Sequence, residues 1–189
     1  EEPIWSQPGD DAISGRGSEA NNGWYIQQHF TQTEDGKIGH VVWWDIYSSL
    51  ANVSFPRPYT LNFYEEGDTD NPIATFEVEV TGTQTSYTLF GFYPIYELYV
   101  ELEEPVDVGG MGWFGKQSTA STGDIAYWLT HSTAAGGEAA LFNGAPDGIY
   151  SYSACFGAGG GAAWLSLSEY EGSVAANGGS QNVAAMFDA

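Results

Sequence analysis

Between Asn62 and Leu102, apolar and polar residues alternate with a period of two. Ala74, Phe76, Val78 and Val80 fall on one side of the alternation, and Thr75, Glu77 and Glu79 on the other. Tyr96, Leu98, Val100 and Leu102 repeat it against Glu97, Glu101 and Glu103. Successive strand side chains face opposite sides, so each run has one buried and one wet face. The pattern predicts strands over 73–80, 85–90 and 95–102, with an acidic turn, 65–71, leading into the first. Upstream it predicts strands over 24–30, 37–47 and 59–65. The run Ser54-Phe55-Pro56-Arg57-Pro58 interrupts the alternation. Downstream it predicts strands over 111–118, 126–131, 138–142, 149–156, 163–168 and 181–187. Pro3-Ile4-Trp5 fits a short edge strand, because Pro is tolerated at a strand start or edge. The rest of 1–22 reads as an extended or loop segment. No run of helical length shows a 3.6-residue period. The expectation is an all-β protein: a two-sheet antiparallel β-sandwich, jelly-roll-like, forming one domain over 1–189.

Charge narrows the partners. The chain of 189 residues has 25 acids against four bases, Arg16, Lys37, Arg57 and Lys116, for a net charge of −21. Nucleic acid and anionic membrane surfaces both need cations that this chain lacks. Cation binding, or a solvated extracellular surface, fits. Nineteen acids lie at or before Asp107, whereas 16 of the 25 glycines lie from Gly109 onward, so the second half is built with Gly/Ala-rich loops. Cys155, the only cysteine, has no partner for an internal disulfide. The chain begins at Glu1 without an initiator Met, and no apolar run is long enough for a membrane span. A secreted protein, extracellular or cell-surface, with its signal peptide removed is the expectation. Asn52-Val53-Ser54 matches a glycosylation acceptor.

The order of features resembles a known group. Trp5 precedes Gly9-Asp10-Asp11, and a Phe-ended strand follows. Then come the double-tryptophan strand Val41-Val42-Trp43-Trp44 and the acidic turn within 64–72. The Tyr-rich run Tyr93-Pro94-Ile95-Tyr96-Glu97-Leu98 and a closing strand over 182–187 complete it. This resembles the secreted bacterial and archaeal β-sandwich modules often found with C-terminal anchoring or sorting signals. The resemblance implies an extracellular jelly-roll-like domain.

Two groups of residues are candidate sites. Glu66, Asp68, Asp70 and Asn71, beside Glu65, crowd oxygens into one turn, and calcium takes six to eight such ligands. Asp10 and Asp11 are candidates to complete that site. The same residue types also favour ordinary hairpin turns. Trp43 and Trp44 are adjacent, so only one of them faces the core, and the other covers a loop, a partner or a sugar. Trp5 is a third interface candidate. His29, His40 and His131 show no paired metal-ligand spacing. Glu97 and Glu101 lie about 13 Å apart along one strand face, too far for the carboxylate pair of a retaining glycosidase. The tract 157–161 lacks the lysine of a phosphate loop. No catalytic motif is present, and the expectation is a protein that is not an enzyme. The first functional reading is an extracellular structural protein, a self-assembling subunit of a filament, sheath or surface layer, stabilised by Ca2+. The alternative is a carbohydrate-binding module that takes cellulose or another glycan.

Overall fold

The computed structural model describes residues 5–7, 12–32, 36–49, 53–121, 123–131, 140–147 and 151–158, with the strand pair 166–167 and 185–186. Asp10, Asp11 and Asn52 lie outside the described residues. The chain forms two compact units, Glu1–Gly159 and Gly160–Ala189.

In the first unit the strands are β1 (Trp5–Gln7), β2 (Ser14–Gly17), β3 (Ile26–Thr31), β4 (Ile38–Tyr47) and β5 (Arg57–Glu65). Next come β6 (Ala74–Val80), β7 (Thr83–Leu89), β8 (Tyr93–Val106), β9 (Met111–Ser118) and β10 (Ala126–His131). Four short strands follow: β11 (Ala140–Phe142), β12 (Ala145–Pro146), β13 (Ser151–Tyr152) and β14 (Ala154–Ala158). In the second unit β15 (Ser166–Leu167) pairs antiparallel with β16 (Ala185–Met186).

The first unit is a sandwich of two antiparallel sheets, as the alternation predicts. β4 is the spine of one sheet. Along one edge it pairs with β8, which carries β7. Its other edge is shared by β14, opposite 38–43, and by β10, opposite 45–47. β1 closes the β14 side, and β2 and β13 pair with β10. The second sheet has the order β12-β11-β3-β9-β5-β6.

Between the sheets lies an aromatic core. Trp43, Trp128 and Phe156 from the first sheet meet Phe30, Tyr59, Phe63 and Phe114 from the second, all fully buried. The rings meet edge to face, as their quadrupoles prefer: Phe114 and Phe156 at 5.3 Å and 77°, Phe114 and Trp128 at 5.6 Å and 87°. The opposite face of the first sheet carries a second apolar cluster, Ile46, Leu89, Ile95 and Leu129, with Trp44, Tyr93 and Tyr127 packed on it.

Three elements depart from the sequence expectation. β5 starts at Arg57, inside the run expected to break the pattern. Pro58 sits second in the strand, where its missing N–H is tolerated, and its carbonyl accepts from Thr119 N at 3.0 Å. The segment 1–22 holds two strands, not one. Ser-Gly-Arg-Gly has poor β propensity, and β2 forms because β10 supplies a full ladder to it. The strand expected over 149–156 breaks at Ser153, whose N–H turns to Leu129 O at 3.0 Å. The carbonyl of Ser153 then accepts from Trp128 Nε1 at 2.7 Å.

Candidate functional site

Strand β2 runs beneath a groove. Gly17 and Gly15 lie opposite Tyr127 and Leu129 of β10. A β-carbon on Gly17 would stand 2.4 Å from the Trp24 ring, and one on Gly15 would stand 3.1 Å from Tyr127 Cβ. Both glycines therefore let aromatic side chains lie directly against the backbone. One section of the groove, about 380 Å³, is walled by Trp24, Tyr127, Phe142 and Arg16. The next, about 260 Å³, shares Ser14, Gly15 and Tyr127, and adds Tyr93, Phe90 and Leu89. Volumes of this size suit a small ligand or a segment of a chain.

Its polar chemistry is sparse. The Arg16 guanidinium lies 4.2 Å from the centre of the Phe142 ring and pairs with Asp147 Oδ1 at 3.0 Å. Asp147 Oδ2 accepts from Tyr152 Oη. Phe142 is placed by a two-residue turn, Asn143-Gly144, in which both residues have positive φ, 51° and 76°. Asn143 Oδ1 also accepts from Tyr25 N at 2.7 Å, tying that turn to the chain beside Trp24. Thr130 Oγ1, on a groove-lining residue, is buried and has no hydrogen-bond partner among the described residues. Among the described residues no acid lines either section. By contrast, every acid from Glu65 to Asp107 is exposed. Two other hollows, of about 600 and 410 Å³, are walled by those acids, Glu65 and Asp107 among them.

The structure places each residue singled out from sequence. Glu66 Oε2 meets His29 Nε2 at 2.6 Å. Asp68 Oδ1 accepts from the backbone of Asp70 and Asn71, at 3.0 Å each, so this carboxylate folds the turn. Those bonds, the Asn71 side chain first, hold its carboxyl below the usual carboxylate range. Among the described residues no group of three or more His, Cys, Asp or Glu side chains is gathered for a metal. Trp43 is the inner tryptophan and Trp44 the outer one. Trp44 Nε1 donates to Glu97 Oε2 at 3.2 Å, and the ring packs on the outer cluster beside the groove. Trp5 lies in β1 opposite Phe156, paired within its own chain.

Sequence reasoning passed over Trp24, Tyr127, Phe142 and Arg16. The Asn143-Gly144 dipeptide, a strong hairpin signal, was the readable cue for one wall. The rest comes together only through the β2–β10 ladder.

A buried charge network crosses the core. Lys116, of β9, is fully buried and donates to Asp45 Oδ1, of β4. Asp45 Oδ2 accepts from Tyr59 Oη at 2.9 Å and Trp43 Nε1 at 3.2 Å. Burial pushes the Lys116 ammonium below its ordinary value, with Asp45 pulling it back up. Burial first, and then the Asp45 charge, holds Tyr59 well above its ordinary value, so it stays a neutral donor. Arg57, also buried, contacts Glu19, donates to Ser118 Oγ at 2.9 Å, and faces Asp124 Oδ2 at 3.6 Å.

Compared with known proteins, the chain matches no family model, no curated protein and no solved structure. Among the described residues no helix is long and apolar enough to cross a membrane.

Proposed function

We propose that this chain is a non-catalytic carbohydrate-binding domain that holds a neutral glycan in the groove over β2. The observation that carries this reading is an aromatic groove in which none of the described lining residues is an acid, in a protein of net charge −21. Trp24, Tyr127 and Tyr93 line the groove, and aromatic rings of this kind are the surfaces on which sugar C–H faces stack. Arg16, neutralised by Asp147, supplies donors without a net charge to select for an anion. Gly15 and Gly17 let the Trp24 ring and Tyr127 seat directly on the β2 backbone, which holds these groove walls in place.

Affinity electrophoresis in gels cast with soluble β-glucan, xylan or galactomannan tests it. The wild-type protein is expected to be retarded by at least one of them. Trp24→Ala and Tyr127→Ala should each weaken binding about tenfold or more, because truncating a central aromatic anchor costs about 1.4 kcal/mol or above. Trp44→Ala, outside the groove lining, should bind like the wild type. A wild-type protein that none of these polysaccharides retards sets the glycan reading aside.

A structural role is the second reading, favoured by one feature. Among the described residues β1 is the outermost strand beside β14, and none of them pairs with its other edge, which suits strand addition by a second copy. Light scattering at high concentration, with and without residues 1–11, tests it. Growth of large species that depends on this segment supports assembly. A full-length protein that stays monomeric sets assembly aside.

A further inference from the structure

We propose that the Lys116 and Asp45 side chains condense into an isopeptide bond that covalently joins the two sheets. The two residues lie on facing strands of opposite sheets, 71 positions apart in sequence, and both side chains are fully buried. An ammonium in hydrogen-bond contact with Oδ1 is held within reach of the carboxyl carbon, which supplies the proximity an attacking amine needs. Three aromatic rings also surround the ammonium, and the Glu19 and Arg57 charges act on it with opposite sign. The nitrogen lies 5.2 Å from the centre of the Tyr59 ring, 5.3 Å from Trp128 and 5.9 Å from Trp43.

That setting favours neutral species. A buried ion pair carries a large desolvation cost, and transfer of a proton from Lys116 Nζ to Asp45 Oδ1 removes both charges. Burial already weakens the hold of Lys116 on its proton. The neutral amine then attacks Asp45 Cγ. The new C–N bond forms as the carbonyl electrons move onto Oδ2. There Tyr59 Oη and Trp43 Nε1 are in place to stabilise the oxyanion. Tyr47 Oη, 3.0 Å from Tyr59 Oη, extends the chain of neutral hydroxyls. Collapse of the intermediate breaks the C–Oδ1 bond. Oδ1 takes a second proton from the nitrogen and leaves as water. An ammonium and a carboxylate have become an amide and one water, with no oxidant or other reactant. The product is a staple between sheets in a chain whose single cysteine cannot form an internal disulfide.

The test is the intact mass of the purified full chain under denaturing conditions, followed by peptide mapping. The expected mass is one water below that of the sequence. A peptide containing Lys116 should appear joined to one containing Asp45. Mapping is needed because cyclisation of Glu1 also releases one water. Lys116→Arg should show neither the joined peptide nor the loss of water at that site. Tyr59→Phe removes one oxyanion donor and should slow cross-linking on the order of 100-fold, so that fresh protein carries unlinked chains. The wild-type measurement stands whether or not the variants fold. A wild-type protein at full mass, or a water loss that maps elsewhere, overturns the proposal.

Discussion

Arg57 and Lys116 are half of this chain's basic residues, and both lie inside it. Their placement leaves the acidic surface almost without counter-charge, which the residue totals alone do not convey. Arg57→Ala would leave Glu19 and Asp124 without their cation at buried or nearly buried sites. Removing one partner of a buried pair costs about 3–5 kcal/mol, so the urea midpoint should fall sharply. Asp68 behaves differently because it is exposed. Its depressed carboxyl contributes to the turn above the ordinary carboxylate range, and that contribution is lost as pH falls through the lowered value. The amides of Asp70 and Asn71 should therefore exchange faster in acid, and Asp68→Ala should reproduce this at neutral pH. At Cys155 burial pushes the thiol above its ordinary value, against a smaller opposing pull from Ser6. Alkylation at neutral pH should be slower than for a free cysteine, because the thiolate is the reactive form.

Among the elements, the β7–β8 hairpin and β2 set the groove. Phe90, at the hairpin tip, is 63% exposed and has φ of 55°. A left-handed conformation costs an L-residue with a large side chain about 1–2 kcal/mol. The same tip exposes Phe92, whose ring lies 4.5 Å from Tyr93. Phe90→Gly should raise the melting temperature by relieving that backbone, and should weaken glycan retardation, since Phe90 lines the groove. Stability gained together with binding lost would mark the strained aromatic as functional; unchanged retardation would confine its role to the hairpin. In β2, Gly17→Ala puts a methyl group into the Trp24 ring. The ring must move off the strand, and retardation should drop with little change in the core.

Over the whole molecule, the net charge of −21 acts beyond any one local pair. Self-repulsion of that size destabilises the compact state, and salt screens it. The melting temperature should rise with sodium chloride. Calcium held by Glu66, Asp68, Asp70 and Asn71 would add an increment beyond ionic strength, by binding the folded state alone. Melting curves in calcium and sodium chloride matched for ionic strength, with chelator as the control, separate the two effects. Coincident curves set the calcium site aside. Under the proposed glycan reading the same field would act on ligand choice, because a polyanion approaching this surface is repelled while a neutral glycan is not.

How much was readable from sequence follows from the range of each interaction. Alternation over 74–80 and 96–102 is local, and its faces are those observed: Phe76 and Val78 are half-buried where Glu77 and Glu79 are exposed. The all-β class and the two-sheet sandwich follow from repeating that pattern. The adjacency of Trp43 and Trp44 required one inner and one outer ring, but only the ladder to β8 decided which. Trp43 shares its face with Leu98 in the core, and Trp44 stands opposite Glu97. The groove was not legible, because Arg16 and Trp24 are about a hundred residues from Tyr127 and Phe142 and meet them only across the β2–β10 ladder and the Asn143-Gly144 turn. The Lys116–Asp45 contact was hidden for a similar reason. In sequence, Lys116 is a polar break in a β run, whereas its burial depends on one carboxylate and three aromatic rings brought in from other strands. Local periodicity determines which face of a strand is wet. Long-range strand pairing determines which side chains meet.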